Sequence, residues 1–155
     1  MKFTKMQGTG NDFVVIEPDS KSRDWKKLAI AICDRHRGIG ADGILLLMPS
    51  KSADFRMRIF NSDGSEAEIC GNGLRCLVKY FVAKTSGKAP RTVINIETTA
   101  GVRKAWFVRN HDGSDHVKLS MGKPRFTGDE IPVMLEGCEA RVVRKSLSIC
   151  TLDID

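Results

Sequence analysis

Residues 56–81 constrain the fold more than any other part of the sequence. They begin with six residues that alternate between two faces, as a strand does, and Ser62-Asp63-Gly64 then supplies the chemistry of a tight turn. A helical pattern follows over residues 73–85. Its apolar side chains lie on more than one side, namely those of Leu74, Leu77, Val78, Tyr80, Phe81 and Val82. A helix that is apolar nearly all round must be enclosed, so we expect strands to wrap around this one.

A single cysteine, Cys70, stands just before this helix. Free backbone N–H groups and the helix dipole favour negative charge in the first turn, so a thiolate is stabilised there relative to a model thiol, whose pKa is about 8.5. Gly71 and Gly73 carry no side chains, so a small anion could approach the same N–H groups closely. The alternative is that the glycines only give a flexible entry to the helix, with Cys70 as a small buried residue.

Three blocks of the sequence resemble the N-terminal half of the diaminopimelate epimerase family, and they occur in the family's order. They are MQGTGNDFVVIE at residues 6–17, RHRGIGADGIL at 35–45 and RIFNSDGSEAEICGNGLRC at 58–76. The resemblance implies an α+β fold in which a curved mixed or antiparallel sheet wraps around a central helix. It also implies an isomerase of lysine and peptidoglycan precursor biosynthesis. Such an enzyme interconverts LL- and meso-2,6-diaminopimelate without pyridoxal phosphate, metal or any other cofactor.

The resemblance implies a catalytic role for one residue of this chain, Cys70. In the family, two cysteines, one from each half of the protein, flank the α-carbon. A thiolate removes a proton on one face, and a thiol returns one on the other. The residues implied to bind substrate are Asn11, Asn61, Gly71, Asn72 and Gly73. Backbone N–H groups of the last three would hold the reacting carboxylate. The two earlier asparagines would position the distal end, since an amide can both donate and accept hydrogen bonds.

Local sequence alone allows plainer interpretations of these residues. Asn11 follows a Gly-Thr-Gly stretch that could be an ordinary hairpin connection, and Asn61 could simply form a turn. Gly43 stands where the family sometimes carries a substrate-contacting glutamine, so a side-chain contact is missing at this position. Turn and surface roles are expected for three acidic residues nearby, Asp63, Glu66 and Glu68.

The motifs of the family's second half are absent from the sequence. These are a Gly-Asn-Pro-His stretch, a Glu-Arg pair and a second cysteine in a Cys-Gly-Thr-Gly-like context. Neither Cys138 nor Cys150 is followed by glycine, and their roles stay open. We therefore expect residues 1–155 to form a single N-terminal lobe, with the second lobe absent, that does not epimerise diaminopimelate alone. Its expected partners are this small-molecule substrate and the missing C-terminal lobe, and a homodimer stays open.

Three alternatives remain. Phenazine-type isomerases and proline racemases share the broad fold, so the chain could belong to another cofactor-independent isomerase, although Asn61-Ser62-Asp63-Gly64 favours the epimerase. A binding module could keep half a pocket and hold an amino acid without catalysis. A nucleic-acid binder is suggested by the net charge of +6 and the pI near 9.2. The basic residues are scattered, however, and are not interleaved with stacking aromatics, so we expect no nucleic-acid partner.

Composition is that of an ordinary globular protein, with 41% hydrophobic and 28% charged residues in a chain of 155. No apolar run approaches the roughly 20 residues that span a bilayer, so we expect no membrane partner. Gln7, Asn11 and Asp12 interrupt any apolar region of a signal peptide, and we expect a cytoplasmic protein. Five cysteines, an odd number without a Cys-x-x-Cys pair, argue against a disulfide framework and a structural metal site.

The rest of the chain predicts a further helix and several strands. Asp24 is a credible N-cap for a helix over residues 25–35. We expect Cys33, on this helix, to lie in the hydrophobic core of the protein. Cys76, on the later helix, is expected to be a packing residue. The expected strands cover residues 2–7, 13–16, 44–48, 92–98, 102–109, 116–121 and 141–149, with a loop at 122–132.

Overall fold

The computed structural model describes residues 1–19, 22–85, 93–109, 115–124, 140–145 and 150–154. The chain divides into two compact units, Met1–Met121 and Gly122–Asp155, and each is described by itself. The assignment of the whole chain to one lobe stays a prediction.

In the described part of the first unit, eight strands form one sheet that is accompanied by two helices. The strands are Thr4–Gly8 (β1), Asn11–Ile16 (β2), Gly43–Met48 (β3), Phe55–Asn61 (β4), Glu66–Ala67 (β5), Val93–Thr98 (β6), Gly101–Arg109 (β7) and Asp115–Leu119 (β8). The helices are Trp25–Cys33 (α1) and Gly71–Lys84 (α2). The strand order is β1-β2-β3-β4-β6-β7-β8, and β5 pairs with β4. The β2–β3 and β4–β6 pairs are parallel and the others antiparallel, so the sheet is mixed.

The sheet curves around α2. β1 and β8 lie at opposite ends of the strand order, yet both contact α2, which requires the sheet to wrap around the helix. One hydrophobic cluster joins them and includes Phe13, Val15, Leu45, Met57, Ile59, Leu74, Leu77 and Val78. The predicted fold is therefore confirmed. The helix is less completely enclosed than predicted. Arg75 and Lys79 are exposed, so one line along α2 faces solvent.

The other face of the sheet carries α1. Successive strand residues point to opposite faces, and the alternate set packs with this helix in a second cluster. That cluster includes Val14, Ile16, Ala29, Ile32, Cys33, Ile44, Leu46 and Phe60. β2 and β3 are thus covered on both faces. This explains why their sequences are nearly continuous apolar runs rather than alternating ones.

The start of β2 differs from the prediction. The strand begins at Asn11 rather than at residue 13, because a two-residue turn lies before it. Both residues of the turn, Thr9 and Gly10, have positive φ, at 58° and 83°, and Gly8 pairs directly with Asn11. Tight hairpin turns of this kind match the twist of the two strands that they join. The plainer interpretation of a hairpin connection is therefore correct for the backbone.

The first helix begins as predicted, with Asp24 as its N-cap, but it ends two residues early. Asp34 leaves helical geometry at φ −55° and ψ 120°. Its carboxylate accepts the backbone N–H groups of His36 at 2.7 Å and Arg37 at 2.9 Å, which starts a turn in place of another helical turn.

Other boundaries also differ. α2 begins at Gly71, two residues before the predicted start, and β5 was not predicted. The predicted strands at 44–48, 92–98, 102–109 and 116–121 correspond to β3, β6, β7 and β8 within a few residues. Most of the loop predicted at 122–132 lies outside the described residues. In the second unit, Ala140–Lys145 (β9) confirms the first part of the strand predicted over 141–149, and residues 146–149 lie outside the described part of the chain. β9 pairs antiparallel with Cys150–Ile154 (β10), which was not predicted.

Candidate active site

Most residues singled out in the sequence gather at one end of the sheet. β2 and β3 are parallel and start side by side, with Phe13 opposite Gly43. β4 runs the other way and ends there, with Asn61 opposite Gly43. The turn before β2 reaches the start of α2, where Thr9 Oγ1 donates to Asn72 Oδ1 at 3.1 Å. The starts of β2, β3 and α2 and the end of β4 therefore meet.

Cys70 is the N-cap of α2, with an extended backbone at φ −141° and ψ 116°. Its Sγ accepts a hydrogen bond from the N–H of Gly73 at 3.3 Å, and its carbonyl accepts the N–H of Leu74 at 2.9 Å. The thiol is free, and the residue is partly exposed. An N–H donor at the sulfur and the positive end of the helix dipole both stabilise negative charge there. The predicted position of Cys70 at a helix start is confirmed, and full burial is excluded.

The two glycines after Cys70 differ in their surroundings. A Cβ at Gly73 would lie 2.9 Å from Leu45 Cδ2, and it would be 3.6 Å from the sulfur of Cys70. Gly73 is therefore needed for close packing of α2 on β3. A Cβ at Gly71 would meet only the side chain of Met121, at 3.8 Å and beyond. The side of Gly71 that a Cβ would occupy is therefore less crowded than that of Gly73.

Asn11 belongs to an ionic network that sequence reasoning missed. Its Nδ2 donates to Asp42 Oδ2 at 2.7 Å, and the same oxygen accepts the N–H of Asp12 at 2.9 Å. Arg35 donates to Asp42 Oδ1 at 2.8 Å and to both carboxylate oxygens of Asp12, at 2.7 and 3.1 Å. Hydrogen bonds from this guanidinium hold the pKa of Asp12 well below its usual range, with a further contribution from Lys5 and against the effect of partial burial.

The charged residues of this network come from two of the sequence blocks quoted above, and Arg35 is exposed. Arg35 and Asp42 open and nearly close the RHRGIGADGIL block, and Asp12 lies in the first block. Their presence in those blocks was the one available signal. Pairing them needs the fold, because Arg35 lies 23 residues from Asp12 in sequence.

Asn61 is held by the turn that follows β4. Its Nδ2 donates to Ser65 Oγ at 2.9 Å, and this hydroxyl donates to Asp63 Oδ1 at 2.6 Å. Hydrogen bonds from Ser65 lower the pKa of Asp63. Glu66 forms a two-point ion pair with Arg58, at 2.6 and 2.8 Å, which lowers the pKa of Glu66. The turn role expected for Asp63 is confirmed.

Gly43 supplies backbone only. It is buried, and a Cβ there would lie 2.7 Å from the carbonyl oxygen of Phe60 on the neighbouring strand. A glutamine at this position would require β3 and β4 to move apart. The close spacing of β3 and β4 therefore allows only glycine at position 43, where the family sometimes has glutamine.

Cys33 and Cys76 are buried packing residues, as predicted. Burial raises the pKa of Cys33 to about 11, with nearby Asp12 and Asp42 adding to the effect. Burial also raises the pKa of Cys76, helped by the neighbouring Cys70. Cys150 begins β10, and Cys138 lies outside the described residues.

Two cavities in the described part of the chain lie away from Cys70. One of about 460 Å³ lies beside β1, and one of about 150 Å³ lies between β1, α2 and β8. Across the described ranges, His, Cys, Asp and Glu side chains do not come together in threes as metal ligands. Neither helix in the described part of the chain is long and apolar enough to cross a membrane.

Comparison with known proteins gives the family. A family model described as diaminopimelate epimerase matches residues 3–127. The chain belongs to the diaminopimelate epimerase family. The epimerase of Caldanaerobacter subterraneus is 49% identical over 136 residues, which cover 88% of this chain and 48% of the relative. That of Halothermothrix orenii is 45% identical, with 88% and 48% covered. The chain thus spans about half the length of these relatives.

The fold comparison agrees with the family assignment. A hydroxyproline epimerase from Agrobacterium vitis, solved with bound trans-4-OH-L-proline, superposes with a TM-score of 0.59 at 20% identity. The match covers 77% of this chain and 40% of that one. At this identity the likeness concerns the fold alone. The curved sheet and central helix of this diaminopimelate epimerase family member therefore share their fold with that structure.

Proposed function

We propose that this chain supplies the thiol-bearing half of an epimerase that interconverts LL- and meso-2,6-diaminopimelate. The observation that carries the proposal is the sulfur of Cys70, which is partly exposed, caps α2 and accepts the N–H of Gly73. The relatives are diaminopimelate epimerases, and the match to their family includes this helix start. The resulting pathway role is the supply of precursors for lysine and peptidoglycan.

Cys70 acts as the base. Its thiolate takes the α-proton of the substrate, so an S–H bond forms, the C–H bond breaks and the electron pair stays on the carbon beside the carboxylate. A thiol on the opposite face, from outside this site, gives a proton to that carbon and inverts it. Since only the carboxylate delocalises the carbanion, preorganised donors and exclusion of water must stabilise it. This chemistry requires neither pyridoxal phosphate nor a metal.

The N–H groups of Gly71 and Asn72 hold the reacting carboxylate. Their position in the first turn of α2 supports this role, because free backbone N–H groups at a helix start favour a bound anion. The resemblance assigned Gly73 to the same carboxylate, but its N–H already donates to the sulfur. We therefore assign Gly73 to stabilising the thiolate.

Asn11 and Asn61 position the distal end of the substrate. Both lie at the end of the sheet where β2 starts and β4 ends, and both are partly exposed. Gly43 lies on β3, the strand between those of Asn11 and Asn61, and contributes no side chain. We also propose a cytoplasmic location, and a homodimer stays open.

Solvent deuterium incorporation tests the proposal. The 155-residue chain is incubated with diaminopimelate in D₂O, alone and mixed with the separately produced C-terminal half of the Caldanaerobacter relative. We expect exchange at the α-carbon only in the mixture, and none when the chain carries Cys70→Ala. Turnover by the chain alone comparable to that of a full relative would overturn the half-enzyme proposal. Binding without exchange in the mixture would instead favour a non-catalytic amino-acid-binding lobe.

A further inference from the structure

Each of the three asparagines of the candidate site is hydrogen-bonded to a group that fixes which way its amide faces. An asparagine amide has a donor side and an acceptor side, and rotating it by half a turn exchanges them. A partner that can only accept selects the NH₂ side, and a partner that can only donate selects the carbonyl side. The partners here differ in this respect.

For Asn11 the partner is a carboxylate. Ionised Asp42 can only accept, so the NH₂ of Asn11 must face it, as the 2.7 Å contact from Nδ2 shows. Asp42 is itself held by Arg35 at 2.8 Å and by the backbone N–H of Asp12 at 2.9 Å. The carbonyl oxygen of Asn11 is therefore directed away from Asp42.

For Asn61 the selection runs through a hydroxyl. Ser65 has one hydroxyl proton and gives it to Asp63 at 2.6 Å. Its oxygen can then only accept from Asn61, whose Nδ2 lies at 2.9 Å. Asp63 also accepts the N–H of Ser65 at 2.8 Å, which keeps the carboxylate in place. The carbonyl oxygen of Asn61 is directed away from the turn.

Asn72 faces the opposite way. Its Oδ1 accepts from the hydroxyl of Thr9 at 3.1 Å and from the guanidinium of Arg75 at 3.4 Å. A guanidinium can only donate, so it selects the carbonyl side of the amide. The NH₂ group of Asn72 is therefore directed away from both partners.

We propose that Asp42, Asp63 and Arg75 are positioning residues that set the orientation of these amides. The two carboxylates make their asparagines present carbonyl oxygens, which accept from an ammonium group. The guanidinium makes its asparagine present an NH₂ group, which donates to a carboxylate. The match to a zwitterionic substrate rests on the proposed function, whereas the amide orientations do not depend on it.

Hydrogen exchange of side-chain NH₂ groups, measured by NMR on the full chain without ligand, tests the orientations. We expect the NH₂ protons of Asn11 and Asn61 to exchange about tenfold more slowly than those of Asn72, because only the first two are engaged as donors. Asp42→Ala removes the acceptor oxygens and should remove the protection at Asn11 alone. Equal exchange rates at all three asparagines would overturn the proposal.

Two further variants keep this test decisive. Ser65→Ala should remove protection at Asn61 only, and it serves independently if Asp42→Ala does not fold. Glu68→Ala is the matched control, since it truncates an exposed acidic side chain near the turn that holds Asn61. Loss of protection at Asn11 in this control, equal to that in Asp42→Ala, would contradict the assignment.

Titration with diaminopimelate separates this proposal from the proposed function. Weaker binding to Asp42→Ala and Ser65→Ala than to the wild type, with binding to Glu68→Ala unchanged, supports a role in recognition. Equal binding by all four proteins overturns that role. The expected exchange pattern without any binding of diaminopimelate would uphold the amide orientations and count against the substrate.

Discussion

The two helices begin with the same capping geometry but with different atoms. At the start of α1, Asp24 Oδ1 accepts the N–H of Lys27 at 3.2 Å. At the start of α2, Cys70 Sγ accepts the N–H of Gly73 at 3.3 Å. Aspartate is among the preferred N-cap residues, whereas cysteine is not. The second helix therefore begins with a weaker cap at the position where the candidate site needs a thiol.

The residues after the caps also favour the helix less in α2 than in α1. α1 continues with Trp25 and two lysines, but α2 continues with Gly-Asn-Gly. Each glycine inside a helix costs about 0.5–1 kcal/mol relative to alanine. Burial must offset this cost, and Leu74, Leu77 and Val78 of α2 are 0% exposed, whereas Ile30 of α1 is 52% exposed. The first turn of α2 therefore lowers the stability of the helix but supplies the thiol of the candidate site, and the buried residues that follow stabilise the helix.

Thiol modification should show the largest difference between the helices, since each contains a cysteine in a different setting. Cys33, at the end of α1, has its pKa raised to about 11 from 9.0, which leaves about a hundredfold less thiolate at neutral pH. Cys70 is partly exposed at the start of α2. We expect iodoacetamide to modify Cys70 at least about a hundredfold faster than Cys33, as measured by mass spectrometry of peptides. Similar rates for the two would remove the proposed distinction.

The two glycines of α2 offer a matched pair for stability. Gly73→Ala should lose about 1 kcal/mol net, because the new methyl group meets Leu45 in the core and overpacking outweighs the gain in helix propensity. Gly71→Ala should be neutral or gain up to about 1 kcal/mol, since its Cβ makes only ordinary van der Waals contacts with Met121, at 3.8 Å and beyond. Urea unfolding of both variants measures the difference. Equal stabilities would show that α2 does not pack on β3 as described.

Exchanging the caps tests the comparison more finely. Asp24→Ala should cost about 1 kcal/mol, as is typical for removal of a carboxylate cap. Cys70→Ser should be as stable as the wild type or slightly more stable, because a hydroxyl caps a helix well. Circular dichroism during urea titration checks both. A loss with Cys70→Ser as large as that with Asp24→Ala would mean that the sulfur is a structural cap.

Acid should weaken the α1 side of the sheet specifically, through Asp12. Its pKa is lowered by Arg35, so its contribution to stability is fully present above the ordinary value of 3.8 and is lost as the pH falls below it. We expect the wild type to lose more stability than Asp12→Asn between pH 6 and pH 3. Glu68→Gln is the control and should follow the wild type. A loss of the same size in Asp12→Asn would exclude this carboxylate as the cause.

Local patterns predicted much of the fold. Alternation and turn residues identified β4 and the turn at Gly64, and helical spacing identified α2 with Cys70 before it. These features depend on residues that are close in sequence. Their ends were less certain: the hairpin turn at Thr9 requires positive φ at a residue other than glycine, which the sequence does not signal.

The residues that support the candidate site could not be predicted from local patterns, because their contacts join residues that lie far apart in the sequence. The contact from Asn11 to Asp42 spans 31 residues, and the contact from Thr9 to Asn72 spans 63. The need for glycine at position 43 depends on a carbonyl of the neighbouring strand. Such relations follow from strand register and helix placement, so no local pattern contains them.

The most direct measurement of the central claim is deuterium incorporation by the complemented mixture, with Cys70→Ser in place of the wild-type chain. Serine keeps the helix cap, so the two proteins should be equally stable and differ only in the sulfur. The account predicts that exchange at the α-carbon of diaminopimelate is lost with serine. Exchange at the wild-type rate in the Cys70→Ser mixture would contradict it.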